Sequence, residues 1–318
     1  MTAVDVPVID IGGLRSPDPA DRLAVAQDLG RACEDVGFLS VVGHGVPADV
    51  IDGAFAAARR FFASPPEVKH FASLTEGVLN RGYDGILSQQ LDPTSPAPDV
   101  KEVFDIGLDL PWDHPLVVAG TPMHGPNSWP SLDGFREPVE AFYDACRRLT
   151  EQLLAGMALS LGLDERAFEP FHQTPIATMR LLRYPPALPD QVEGQLGAGA
   201  HTDWGAITVL SQDDAGGLEV QLADGRWVPV PPRPDAFVVN VGDLLARWTN
   251  DRYRSTRHRV RNPIGRERYS AVFFMDLDHH ARIEVLPSCV PDGEAPRYGP
   301  TTAGEHLFMK FQESMPAS

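Results

Sequence analysis

The sequence is poor in cysteine and contains no long apolar run. Its 318 residues include three cysteines, Cys33, Cys146 and Cys289. An odd number of widely spaced cysteines argues against a disulfide framework and a cysteine-based zinc site, so we expect small buried side chains. No segment approaches the roughly 18 apolar residues of a membrane-spanning helix, and the amino terminus lacks the basic and apolar regions of a signal peptide. The sequence therefore predicts a cytoplasmic protein.

Basic residues are also scarce, since 27 lysines and arginines face 44 aspartates and glutamates, for a formal charge of −17. Nucleic acids and anionic membranes attract basic surfaces, so we expect neither as a partner. The sequence also lacks the glycine-rich patterns that hold nucleotide phosphates. The composition, 43% hydrophobic and 22% charged, is typical of a globular chain. The sequence does not indicate the oligomeric state.

The pattern of elements changes near residue 130. Residues 1–130 read as helices and short strands, with a capping box at Ser64 and Glu67 and a loop-rich stretch after Glu76 that we expect to face substrate. Residues 131–318 contain a long helix, a series of short strands separated by turns, and a closing helix with a capping box at Thr302 and Glu305. This spacing favours an α+β protein with a mainly β core, a jelly roll or double-stranded β-helix with flanking helices, in one compact unit.

One strand carries two ligand-type residues. In "GAHTDWGAITVL", residues 199–210, His201 and Asp203 stand at i and i+2 and therefore share a face. A third candidate, His258, follows after several predicted strands. Two histidines and one carboxylate leave half of an octahedron open, which is the arrangement expected of non-haem Fe(II) oxygenases that bind a co-substrate and O2.

A second pair, Arg268 and Ser270 in "RYSAVFFM", again stands at i and i+2. A guanidinium and a hydroxyl on one face can hold a carboxylate by charge-assisted hydrogen bonds. A 2-oxo acid would then reach the metal with its other end. Zinc hydrolysis by the same three ligands is an alternative, but it does not explain this clamp.

The order HxD, distal histidine, RxS resembles the iron(II)- and 2-oxoglutarate-dependent dioxygenases, in the branch that includes isopenicillin N synthase. The resemblance covers almost the whole chain. Its segments are "VPVIDIGGL", "ACEDVGFLSVVGHGV", "RGYDG", "KEVFDIG", "LLRYPP", "HTDWGAITVLSQD", "NVGDLLARWTNDRYRSTRHRV" and "RYSAVFF". It implies oxidation of a C–H bond in a small organic molecule, by hydroxylation or by desaturation or cyclisation, with release of succinate and CO2.

The resemblance also implies residue roles. His201, Asp203 and His258 would bind iron, and Arg268 and Ser270 would hold 2-oxoglutarate. Tyr184 would help to bind either 2-oxoglutarate or a carboxylate of the substrate. Leu182 stands where plant members carry Asn two places before this tyrosine.

Three further residues are candidates for contact with the substrate. In the strand-like "ATMRLLRY", Arg180 shares the face of Tyr184 and could bind an acidic group. Trp204 and Phe273 are the other two, although packing in the core is the better explanation for both.

Two alternatives stay open. An oxidase of the isopenicillin N synthase type would use the same ligands without 2-oxoglutarate, and its arginine and serine would bind the substrate's own carboxylate. A non-catalytic jelly-roll protein that binds a ligand is the other. The presence of competent residues at all three ligand positions argues against the latter.

Overall fold

The computed structural model describes residues 6–72, 80–186, 192–262 and 265–314. Within these ranges the helices are α1 (Pro19–Asp35), α2 (Ala48–Phe62), α3 (Pro66–Phe71), α4 (Pro115–Val118), α5 (Arg136–Ser160), α6 (Asp243–Trp248) and α7 (Ala303–Ser314). The strands are β1 (Val8–Asp10), β2 (Phe38–Val42), β3 (Gly82–Asp84), β4 (Glu102–Gly107), β5 (Pro175–Tyr184), β6 (Ala198–His201), β7 (Ile207–Gln212), β8 (Leu218–Gln221), β9 (Trp227–Pro229), β10 (Phe237–Val241), β11 (His258–Val260), β12 (Arg268–Asp278), β13 (Arg282–Ile283) and β14 (Thr301–Thr302).

The strands form two main sheets. The larger has eight strands in the order β1-β2-β10-β7-β12-β5-β4-β3, and the smaller has four in the order β6-β11-β8-β9. All neighbours in these two sheets are antiparallel except β1 and β2. One apolar cluster joins side chains of both sheets, such as Val272 with Val220 and Val260, so the sheets face each other across a shared interior. This sandwich agrees with the predicted mainly β core.

Helices cover the other face of the larger sheet. The main core cluster joins α1, α2 and α5 to alternate residues of β12, namely Tyr269, Ala271, Phe273 and Met275. The ring of Phe273 meets that of Tyr143 on α5 edge-on, with centroids 5.1 Å apart. Each central strand therefore has one face buried under helices and one directed at the smaller sheet, as the period of two requires.

Local signals set several helix ends. Asp18 caps α1 by accepting a hydrogen bond from the Ala20 amide, with proline at the first helical position. The capping box predicted at the last helix is confirmed, because Thr302 and Glu305 exchange hydrogen bonds of 2.8 and 3.1 Å. The box predicted at Ser64 is wrong, since its hydroxyl donates back to the Arg60 carbonyl of α2.

The stretch after Glu76 is less loop-like than predicted. Residues 73–79 lie outside the described residues, but β3 and β4 follow and complete the edge of the larger sheet. The predicted boundary at residue 130 stays a prediction, since this sheet takes strands from both sides of it. The three cysteines are free and buried, as predicted. Among the described residues, no helix is both long and apolar enough to cross a membrane.

Candidate metal centre and co-substrate site

The two candidate histidine ligands lie on neighbouring strands of the smaller sheet. His201 ends β6, His258 begins β11, and the antiparallel register pairs them directly. Asp203 follows β6 by two residues, and the Nε2 atom of each histidine lies 3.7 Å from its Oδ1 atom. The three ligand atoms lie within 4.8 Å of one another, close enough to bind one ion.

Both imidazole rings are oriented by backbone carbonyls. The Nδ1 atom of His201 lies 2.7 Å from the Gly199 carbonyl, and that of His258 lies 3.3 Å from the Thr256 carbonyl. A proton on Nδ1 satisfies each contact and leaves the Nε2 lone pair for a metal. The ring of His258 also packs against Phe38, with centroids 5.1 Å apart.

Two polar side chains of the larger sheet hold the Asp203 carboxylate. The Thr208 hydroxyl and the Asn240 amide donate to Oδ2 at 2.6 and 2.7 Å. Both donors use the same oxygen, so Oδ1, the atom nearer the histidines, is left for a metal. Neither side chain was predicted from the sequence, although the polar residue within the apolar run "VVNV" was a usable signal.

The electrostatics suit a divalent cation. Burial, followed by the neighbouring His258, lowers the pKa of His201, which keeps its imidazole neutral. Burial opposes ionisation of Asp203, but the two histidines and the bonds from Thr208 and Asn240 hold the pKa of its carboxyl below the usual value. Two imidazoles and one carboxylate form the donor set of the facial triad that binds Fe(II).

Arg268 and Ser270 lie on the inner face of β12, as the spacing predicted. Arg268 is fully buried and donates to Ser270 Oγ at 3.0 Å, to the Gly216 carbonyl at 2.7 Å and to Gln212 Oε1 at 3.1 Å. A guanidinium has five N–H donors, so two remain for a ligand. These three hydrogen bonds fix the orientation of the Arg268 guanidinium without a bound anion.

Two more side chains complete this end of the interior. Tyr184 is buried beneath the guanidinium of Arg268, which lies 4.7 Å from its ring centroid, and burial raises the pKa of its phenol. The amide nitrogen of Gln212, the residue bonded to that guanidinium, is buried and has no hydrogen-bond partner within the described ranges. The unpaired amide of Gln212 and the two remaining N–H groups of Arg268 fit a bound carboxylate, because a carboxylate would accept hydrogen bonds from both side chains.

The three substrate candidates fall in different places. Arg180 lies on the inner face of β5, where Asp105 pairs with its guanidinium through two bonds of 2.8 and 2.7 Å. Trp204 is half-buried next to the metal ligand. Phe273 lies under helix α5, on the opposite face from the site, and Phe274 takes the inner position instead.

Comparisons with known proteins agree with this geometry. Residues 6–132 match the model of the non-haem dioxygenase in morphine synthesis N-terminal family, and residues 175–277 match the 2OG-Fe(II) oxygenase superfamily. The 2-oxoglutarate-Fe(II) type oxidoreductase hxnY of Emericella nidulans is 38% identical over 97% of this chain and 90% of its own. The 2-oxoglutarate-dependent dioxygenase citB of Monascus ruber is 42% identical over 87% of each chain.

A solved structure is similar over nearly the whole chain. It is that of a full-length Neurospora crassa protein in complex with alpha-KG and thymine, with a TM-score of 0.85, 30% identity, and coverage of 98% of this chain and 97% of that one. The jelly-roll fold predicted from the sequence is thereby confirmed. The chain belongs to the 2OG-Fe(II) oxygenase superfamily, and is an enzyme that uses Fe(II), 2-oxoglutarate and O2 to oxidise a small organic molecule.

Proposed function

We propose that His201, Asp203 and His258 hold Fe(II) through two Nε2 atoms and Oδ1, and that Arg268, Ser270 and Tyr184 hold the far carboxylate of 2-oxoglutarate. When bound, Fe(II) supplies the redox chemistry that couples decarboxylation of 2-oxoglutarate by O2 to oxidation of a C–H bond. The protein side chains contribute position, because productive chemistry requires the substrate carbon to be held beside the metal in a dry cavity.

The observation that carries this proposal is the arrangement along β7. Thr208, bonded to the metal ligand Asp203, and Gln212, bonded to Arg268, are four residues apart and both point to the inner face. A strand rise of about 3.3 Å per residue separates them by about 13 Å. The metal ligands and the guanidinium are thus anchored at opposite ends of one inner strand face, as a dicarboxylate held at both ends requires.

The substrate is proposed to be a small molecule, with no nucleic acid or membrane as partner, since the formal charge is −17. The thymine complex of the Neurospora crassa protein supports a compact substrate for this fold. A cytoplasmic location is part of the same proposal.

Anaerobic calorimetry of the Fe(II)-loaded protein with 2-oxoglutarate tests the proposal, together with an aerobic assay of succinate release. We expect one molecule of 2-oxoglutarate bound per chain, and binding lost on metal removal. An iron-loaded protein that takes up no 2-oxoglutarate would contradict the proposed clamp and support the oxidase alternative.

A further inference from the structure

The segment that carries Asp203 is supported by helix α6, which supplies no metal ligand. Asp203 lies two residues past the end of β6. The amide of Asp243, the first residue of α6, donates to the Asp203 carbonyl at 2.8 Å. The next amide, of Leu244, donates to the Gly205 carbonyl at 3.0 Å. A Cβ atom at Gly242 would lie 2.2 Å from that same carbonyl oxygen, so the close approach of α6 to this segment requires glycine.

The side chain of Asp243 joins three parts of the chain. Its Oδ2 atom accepts a hydrogen bond from the Thr202 hydroxyl at 3.1 Å and lies 2.8 Å from the Lys310 ammonium of α7. Its Oδ1 atom accepts from the Ser255 hydroxyl, in the loop before β11. Hydrogen bonds to an ionised acceptor are about twice as strong as neutral ones. The Asp243 side chain is only 17% exposed, so it can hold all three partners in place.

Two of these partners are close to metal ligands along the chain. Thr202 stands between the two ligands at the end of β6. Ser255 precedes Thr256, whose carbonyl orients the imidazole of His258. One carboxylate therefore contacts both of the segments that supply ligands. Metal affinity depends on how such segments are held, and outer contacts of this kind are typically worth about 10- to 100-fold.

The last helix adds a contact to the same segment. His306 of α7 donates from Nε2 to the carbonyl of Trp204, the residue after the ligand, at 2.9 Å. Lys310 lies one turn further along α7, beside Asp243. These two side chains and Asp243 line a cavity of about 710 Å³, to which none of the three proposed iron ligands contributes. The contacts thus lie behind the metal-binding segment and not among the ligand atoms.

We propose that Asp243 is a positioning residue for the metal centre. It holds the segment of His201 and Asp203 against the loop that leads to His258, and α7 takes part through Lys310. Its effect on the metal is indirect, because it fixes the relative position of the three ligands. This inference rests on the proposed function, since it takes the iron ligands from it.

Calorimetry of Mn(II) binding to the full chain tests this role. Asp243→Asn keeps the shape of the side chain but replaces one acceptor oxygen with an amide, so the dissociation constant of Mn(II) should rise about tenfold. Thr202→Val removes one hydroxyl without a change of charge, and the constant should rise about 3- to 10-fold. Thr202→Ser keeps the hydroxyl and should recover the native constant to within about twofold.

Two further variants identify the cause of the loss. Thr202→Val should add less than about twofold in the Asp243→Asn background, because both changes remove the same hydrogen bond. Asp251→Asn is the matched control, since Asp251 lines the same cavity but accepts hydrogen bonds from Tyr298. It removes an equal charge and should bind Mn(II) as the native protein does.

The outcomes separate this inference from the proposed function. If the native protein binds no Mn(II), the proposed metal site fails. If the native protein binds Mn(II) and Asp243→Asn binds it equally well, Asp243 has a structural role alone and only the present inference is overturned, even where the melting temperature falls. Equal losses in Asp251→Asn, or in Thr202→Ser and Thr202→Val, overturn it as well. Should Asp243→Asn fail to fold by circular dichroism, the two Thr202 variants decide, and equal affinity in both overturns the inference.

Discussion

The two faces of strand β12 differ in how fully their side chains are packed and hydrogen-bonded. On the helix-covered face, Phe273 and its apolar neighbours are packed to completion, with Phe273 fully buried against Tyr143. On the inner face, Arg268 keeps two free donors and Asp276 accepts no hydrogen bond from the described residues. The packed face stabilises the fold, whereas the inner face keeps polar groups available to a ligand.

The largest expected effect is on the inner face at the metal centre. Asp203→Asn removes the one anionic ligand while it keeps the shape of the side chain, so metal affinity and succinate release should fall by about 10³-fold or more, equal to about 4 kcal/mol. Calorimetry with Mn(II) and the succinate assay measure both. The melting temperature should not fall, because the variant also removes a buried charge.

Asp276→Asn is the control for the loss of metal affinity in Asp203→Asn. It neutralises a second buried carboxyl group, on β12, whose pKa is raised by burial and by the charge of Asp203. It should bind Mn(II) as the native protein does. Equal loss of metal in both variants would mean that the site responds to net charge rather than to the ligand set proposed here.

Neighbouring phenylalanines give the most direct comparison of the two faces. Phe273→Ala should cost about 3–5 kcal/mol of unfolding free energy because it opens a cavity under α5, with 2-oxoglutarate affinity unchanged. Phe274→Ala should cost less stability, since this side chain is half-buried, but should reduce the stimulation of succinate release by substrate. Urea denaturation and the succinate assay measure the two effects. If both variants lost the same unfolding free energy and the same stimulation of succinate release, Phe273 and Phe274 would not lie on opposite faces of the sheet as described.

The period of two explains why most of the site could be predicted from sequence. Arg268 and Ser270 stand at i and i+2 within β12, and strand geometry places such a pair on one face whatever the rest of the fold does. His201 and Asp203 have the same spacing and also meet, although Asp203 lies two residues past the end of β6. The distance between the two pairs could not be obtained in this way. It depends on the register that aligns Ser270 with Gln212 and Phe274 with Thr208, and register is set by tertiary packing.

Two of the substrate candidates show what strand parity gives and what it does not give. Arg180 faces the interior as expected, but Asp105 on the adjacent strand already pairs with it through two bonds. Phe273 has the opposite parity to Ser270, which was visible in the sequence and indicated Phe274 instead. Partners that come from distant strands, such as Asn240 for Asp203, carry no local spacing signal.

A smaller effect is expected at the carboxylate clamp. Arg268→Lys keeps the charge but replaces a planar fork with a point donor, and it loses the bonds that fix the fork to Gly216 and Gln212. The dissociation constant of 2-oxoglutarate should rise about 10- to 100-fold, or about 1.4–2.7 kcal/mol. Anaerobic calorimetry measures it, with Arg226→Lys on the surface as control. An unchanged constant would remove Arg268 from the co-substrate site.

The smallest expected effect concerns the two donors that hold Asp203. Thr208→Val keeps the side-chain shape and removes one of two hydrogen bonds to Oδ2, so the carboxylate gains freedom to turn and to offer both oxygens to the metal. Metal affinity should fall about 3- to 10-fold, at the low end of the range for such outer contacts, while 2-oxoglutarate affinity at saturating metal should not change. Asn240→Ala should cost at least as much, since a charged acceptor then loses an amide donor in a buried site. If both variants bind Mn(II) as tightly as the native protein, the orientation of Asp203 is set by the backbone after β6 and not by the larger sheet.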